Sequence, residues 1–258
     1  MVALDDGVVD TTARVETAGG VWPMYGREMR DHNWRRGGYG MLTLPQTLMV
    51  SSNIGVSRII DDHYRNCPEK YVEGIHRLGL ADDLKLPIAG SSPAKIRMPK
   101  KDKRGKQYVN WSKTTLPWMS IGYETQIPPI STLTFYNAIA NNGKMMRPRF
   151  VKQVIKDGQV IMDFPPEVVK GHEQIAKPQT IKTMQTILEH VVSQGLGKKA
   201  GSPSFKVAGK TGTAQMSKGV AGYKSGTMNY LLSFAGFFPA DAPRYSCIVC
   251  IQKSGLPA

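Results

Sequence analysis

Val207-Ala208-Gly209-Lys210-Thr211-Gly212-Thr213-Ala214-Gln215 is the stretch whose reading decides the fold. It is strand-like, yet it holds two glycines, and strand interiors avoid glycine because it packs nothing and costs backbone entropy. Glycines set among a lysine and two threonines suggest a strand that something must approach closely. A strand edge without bulk can pair with an extended peptide through main-chain hydrogen bonds. The lysine adds a cation and the threonines add hydroxyl donors, a combination that suits a carboxylate-bearing ligand. The same residues also read as a loosely packed edge strand, so the segment needs support from elsewhere. It is not a phosphate loop: that motif requires an earlier glycine with four residues between, and Ser204 stands at that position.

Working outward, Phe205 to Met216, Tyr230 to Phe238 and Tyr245 to Gln252 are strand-like, and Pro239 to Pro243 joins the last two as a hairpin turn. Helical patterns precede them. Thr43 is placed to cap a helix with Pro45 in its first turn, running from Leu44 to Val50. A second amphipathic stretch covers Ile54 to Tyr64, and Ser131 is placed to cap a third helix that ends at Asn142-Gly143. The strongest pattern is Pro178 to Ser193, where Ile181, Met184, Ile187, Leu188, Val191 and Val192 share one face and Gly195 stands just past the end. Helices followed by an antiparallel sheet predict an α/β fold with helices packed on that sheet. No repeat or long linker divides the chain, so residues 1–258 read as one domain.

The composition is that of an ordinary globular protein: 258 residues, 41% hydrophobic and 21% charged. The net charge of +14 is high. It admits a nucleic-acid partner, an anionic lipid surface or an anionic cell wall. Much of it sits in one segment, where Lys95, Arg97, Lys100, Lys101, Lys103, Arg104, Lys106 and Lys113 face only Asp102. With Pro99, Gly105 and few apolar residues, this reads as a solvated loop. The cysteines, Cys67, Cys247 and Cys250, form neither a disulfide framework nor a zinc spacing. Cys247 and Cys250 are expected to be small core residues on opposite faces of a strand. No apolar run is long enough to span a bilayer, and no signal peptide opens the chain.

Ser51-Ser52-Asn53 lies at a helix junction, where serine and asparagine commonly serve as turn or cap residues. Paired in order with Lys210-Thr211-Gly212, it gains a second reading. Serine acyl-transfer enzymes combine S-x-x-K, S-x-N and K-T-G in that order. The chain resembles the transpeptidase domain of class B penicillin-binding proteins, septal branch more than elongation branch. Val207 to Gln215 resembles the long form of the third motif. Gly38-Tyr39-Gly40 with Leu44 to Gly55 resembles the approach to the second. Ser120-Ile121-Gly122-Tyr123, Tyr136 to Gly143 and Ser233 to Pro239 also resemble family segments.

The first motif departs from the family pattern. Ser92-Pro93-Ala94-Lys95 is the sole S-x-x-K, but it follows Ser51, and Pro99 comes too soon for a helix. It is rejected as the nucleophile. Met1 to Gly7 resembles the tail of the nucleophile helix, so the resemblance places the serine and its lysine upstream. The domain is therefore expected to be incomplete, lacking that helix and the family's C-terminal helix.

The resemblance implies a penicillin-binding/β-lactamase-like fold and a peptidoglycan D,D-transpeptidase activity in the parent, with the chain as given inactive. It assigns Ser51, Asn53 and Lys210 to catalysis, and Thr211, Gly212 and Thr213 to substrate binding, with Gly209 and Gly212 clearing room for the peptide. No metal or organic cofactor is implied. Implied partners are the stem peptide, β-lactams and cell-division proteins, with no nucleic acid, at the extracytoplasmic face of the inner membrane through an anchor outside this chain. A β-lactam sensor, a degenerate binding module, a carboxypeptidase or a β-lactamase are the alternative readings.

Overall fold

In a computed structural model of the chain, residues 1–216 and 229–254 are described. A one-turn helix, α1 (Val2–Asp5), leads to β1 (Arg14–Glu16), the hairpin of β2 (Val21–Met24) and β3 (Arg27–Arg30), and β4 (Met41–Thr43). Three helices follow: α2 (Leu44–Met49), α3 (Asn53–Tyr64) and α4 (Pro68–Arg77). Next come β5 (Lys95–Ile96), α5 (Thr115–Ser120), β6 (Thr125–Gln126) and α6 (Pro129–Ala140). The exposed hairpin β7 (Gln153–Lys156) and β8 (Gln159–Asp163) precedes α7 (Pro178–Ser193). The chain closes on β9 (Ala208–Met216), β10 (Asn229–Phe238) and β11 (Tyr245–Ser254).

The last three strands form an antiparallel sheet in the order β11-β10-β9, with Lys210 opposite Ala235 and Gly212 opposite Ser233. Period-2 alternation puts Ala208 of β9 and Phe237 of β10, register partners, on one face. There they pack with Leu44 of α2, Ile139 of α6 and Met184, Ile187 and Leu188 of α7. The 3.6-residue period of α7 turns its apolar stripe toward this layer, as the sequence pattern predicts. A second core joins α1, α3, α4 and α5 through Val2, Ile60, Tyr64, Val72 and Leu116. Helices on an antiparallel sheet are the α/β architecture expected. No helix of the described residues is long and apolar enough to cross a membrane.

Helix ends follow their local chemistry. Thr43 closes a capping box with Gln46, each side chain taking the other's backbone N–H, and Pro45 occupies the first turn of α2. Three expectations are corrected. α6 begins at Pro129, and Ser131 lies within its first turn, because a proline at the first helical position gives up no hydrogen bond. β9 begins at Ala208, while Phe205 leaves the strand to stack on Phe238 at 5.4 Å. Cys247 is half-buried and Cys250 exposed, so neither is a core residue. β11 is an outer strand whose second half is exposed, and burial is concentrated in central β10. Gly195 is needed for close approach, since a Cβ there would lie 2.4 Å from the Met49 carbonyl oxygen.

Candidate active site

The site is built where α2 hands over to α3, beneath the outer strand β9. Val50 ends α2, Ser51 turns the chain, and Ser52 caps α3. Ser51 has φ of 52°, the left-handed region, which costs an L-residue about 1–2 kcal/mol. Such a conformation persists only where its surroundings over-determine it. Here they do. The Ser52 backbone N–H donates to the Thr47 carbonyl at 2.8 Å, and its hydroxyl accepts from the Gly55 N–H at 2.9 Å. Asp31, from the loop after β3, clamps the turn from the other side. Its carboxylate accepts from the Ser52 hydroxyl at 2.7 Å and from the Ile54 N–H at 3.0 Å. Asp31 and Ser52 are each 1% exposed, so these bonds operate out of water, where an unmade one is costly.

The Asn53 side chain lies in the first turn of α3. Its amide donates to the Arg30 carbonyl at 2.9 Å, which engages one of its two N–H donors and fixes the amide plane. Lys210 reaches across from β9. Its ammonium lies 2.8 Å from the Ser51 hydroxyl and 3.0 Å from the Thr211 carbonyl. Ser51 and Lys210 are separated by 159 positions in the chain. Burial of the ammonium lowers the Lys210 pKa to about 8.

Residues 211 and 213 share one face of β9, and 210 and 212 the other, so the two threonine hydroxyls are grouped apart from the lysine. Thr213 is exposed. Among the described residues β9 pairs with β10 alone. The glycines open space, but β10 takes it. A Cβ on Gly209 would meet the Phe234 ring at 2.5 Å and the Ala235 carbonyl oxygen at 2.7 Å. A Cβ on Gly212 would meet the Ser233 hydroxyl at 2.5 Å. Gly209 therefore serves sheet packing, whereas the atom facing Gly212 is the end of a rotatable side chain.

The structure thus brings Ser51 and Lys210 into contact, with Asn53 at the first residue of α3 and Thr211, Gly212 and Thr213 following Lys210 on its strand. Ser92 lies exposed outside any helix, and Lys95 stands in β5, in agreement with rejecting that pair. Asp31 and the Arg30 carbonyl are the parts the sequence reading missed. They lie 21 and 23 positions from their partners in a polar loop, and no local pattern marks them.

Comparison with known proteins places the fold in a family. The chain is 28% identical over 255 residues to penicillin-binding protein PbpB of Mycolicibacterium smegmatis, covering 94% of this chain and 36% of that protein. It is 27% identical over 253 residues to peptidoglycan D,D-transpeptidase FtsI of Escherichia coli, covering 98% and 37%. The chain therefore spans less than two fifths of the length of these relatives. Among solved structures, the transpeptidase domain of Burkholderia pseudomallei penicillin-binding protein 3 aligns with a TM-score of 0.74 at 28% identity, covering 98% of this chain and 67% of that one. Penicillin-binding protein 3 of Mycobacterium tuberculosis, complexed with aztreonam, aligns with a TM-score of 0.75 at 26% identity, covering 98% and 54%. The family model of the penicillin binding protein transpeptidase domain matches residues 1–257, and the chain belongs to that family.

Proposed function

We propose that these residues carry the second and third motifs of a serine D,D-transpeptidase that crosslinks peptidoglycan stem peptides, with the acylated serine supplied by sequence outside residues 1–258. The observation that carries the reading is the 2.8 Å contact between Lys210 and Ser51, which joins the two motifs into one site. In the complete enzyme the serine oxygen attacks the carbonyl between the two terminal D-alanines of the donor peptide. The peptide C–N bond breaks, one D-alanine leaves with a proton on its nitrogen, and an acyl-enzyme remains. An amine of a neighbouring strand then attacks the ester carbonyl, forming the new amide and returning the proton to the serine. β-Lactams acylate the same serine.

Ser51 relays the proton toward the leaving nitrogen, oriented by the Lys210 ammonium. Asn53 offers its remaining N–H to a substrate amide carbonyl. The Thr211 and Thr213 hydroxyls bind the terminal carboxylate. The Thr213 backbone N–H supplies half of the oxyanion hole, a kind of donor whose removal costs about 10²–10³ in kcat. No metal or organic cofactor enters the scheme. Septal wall synthesis is the favoured setting, in view of the relatives named FtsI and stage V sporulation protein D. It carries with it an extracytoplasmic location, an anchor outside this chain and cell-division partners.

The test is acyl transfer from a pentapeptide donor to an amine acceptor by the full-length parent. Lys210→Ala is expected to lower kcat/KM by about 10²–10³ with the fold retained. A variant within about threefold of wild type would remove Lys210 from the mechanism.

A further inference from the structure

The basic segment around residues 95–113 is exposed, as its composition suggests, but it is more than a solvated loop. Lys101 and Tyr108 form an antiparallel bridge, closed by Asp102 N–H to the Gln107 carbonyl at 2.7 Å and Val109 N–H to the Lys100 carbonyl at 2.8 Å. Asp102, the acid of the segment, directs its carboxylate to the Lys106 backbone N–H at 2.8 Å. It caps the turn and forms no ion pair with the side chains at the tip. Lys103, Arg104 and Lys106 are all exposed there. At the base, Glu69 of α4 accepts from the Tyr108 hydroxyl at 2.5 Å and from the Lys101 ammonium at 3.3 Å. The cations are thus presented on a pinned hairpin, which lowers the ordering cost of binding through them.

Each end of the segment contributes residues to a cleft. One, of about 710 Å³, is lined by Lys95 and Arg97 together with Glu124 and Gln126. The other, of about 360 Å³, is lined by Arg65 and Lys113 together with Asp61, Tyr108 and Trp111. The second cleft sits at the C-terminal end of α3, whose N-terminal end carries Asn53. Twelve helical residues separate the two ends, about 18 Å at 1.5 Å per residue.

We infer that the hairpin and its two clefts form a docking surface for the carboxylate-bearing peptidoglycan strand, separate from the Ser51–Lys210 site and along the path of a polymer that reaches it. The polymer's identity rests on the proposed function; the polyanion-binding character rests on the hairpin alone. Arg97 is paired with Glu124 at 3.2 Å and Arg65 with Asp62 at 3.1 Å, so among the described residues each cleft offers an unpaired lysine, Lys95 or Lys113, beside an amide, that of Gln126 or Asn66. That pairing suits a peptide, which offers carboxylates and amide N–H donors together. A plane of phosphate headgroups would engage the cations alone and could not fill the clefts.

The experiment is co-sedimentation of the 258-residue chain with purified insoluble peptidoglycan at about 0.1 M salt, where exposed charges still act over about 10 Å. One variant combines Lys103→Gln, Arg104→Gln and Lys106→Gln. A control removes equal charge elsewhere, by Lys156→Gln, Lys198→Gln and Lys199→Gln, all exposed positions. Exposed ion contacts contribute up to a few-fold each, so the hairpin variant should bind about tenfold more weakly while the control stays within about twofold. Both variants should keep the wild-type thermal midpoint. Equal loss in the two triples would reduce the effect to net charge and overturn the inference. So would a wild-type chain that stays in the supernatant, unchanged binding of the hairpin variant, or tighter binding to phosphatidylglycerol vesicles than to peptidoglycan. Penicillin acylation of the full-length parent separates the two readings: its absence would refute the proposed function while leaving binding by the hairpin standing.

Discussion

Removing the Asp31 carboxylate is the sharpest structural test of how the Ser51 turn is held. Asp31→Ala deletes an acceptor that serves the Ser52 hydroxyl and the Ile54 N–H, at 2.7 Å and 3.0 Å, with Asp31 and Ser52 each 1% exposed. A hydrogen bond to a charged group contributes about 1.5–3 kcal/mol, and a buried donor left unmade adds its own desolvation cost. The hydroxyl of Ser52 can rotate and recover part of this, whereas the Ile54 N–H cannot. The expected cost is about 3–5 kcal/mol, a substantial share of the roughly 5–15 kcal/mol that holds a domain together. Asp31→Asn keeps one acceptor and sets an NH₂ against a donor, for about 2–3 kcal/mol. Urea unfolding followed by tryptophan fluorescence reads both values. In the full-length parent the same variants should slow acylation, because Ser51 loses the clamp that holds it at φ of 52°. A cost below about 1 kcal/mol for Asp31→Ala would refute the reasoning.

Four further outcomes follow from the same geometry. Because burial lowers the Lys210 pKa to about 8, acylation by the parent should decline as pH rises through that value, and Lys210→Arg should move this alkaline limb upward in a stopped-flow pH profile. The stability sign is the reverse: the penalty on the buried ammonium is present in full below about 8 and fades as pH climbs toward the ordinary 10.5, so this group's contribution improves over that interval in urea titrations. Gly209→Ala should cost about 1–3 kcal/mol, since its Cβ would fall 2.5 Å from the Phe234 ring and 2.7 Å from the Ala235 carbonyl oxygen; a neutral thermal midpoint would contradict the packing described. Thr43→Ala should cost about 1 kcal/mol by dissolving the capping box of α2, whereas Thr43→Ser should cost markedly less in the same melt.

Much of the fold is legible in the sequence because local signals and tertiary packing agree there. α7 has the same limits as its apolar pattern, and α2 has the cap and first-turn proline that its sequence suggests. The site's two motifs are legible too, but their contact is not: nothing local tells Lys210 that its partner stands 159 positions earlier. Asp31 is illegible for the same reason, a polar residue in a loop whose role exists only once α3 is packed beside it. The glycines of β9 point toward a ligand in sequence because a sequence does not show what lies across a strand; at Gly209 it is the Phe234 ring and the Ala235 carbonyl. Strand pattern alone places Cys250 inside, because it does not distinguish an outer strand from a central one.

The measurement that bears most directly on the central claim is mapping of the penicilloyl adduct on the full-length parent by peptide mass analysis, beside the same labelling of the 258-residue chain. The account predicts an adduct on an S-x-x-K serine outside these residues, labelling that falls in Lys210→Ala, and no labelling of the 258-residue chain. An adduct on Ser51 or Ser92, or labelling of the 258-residue chain alone, would contradict it.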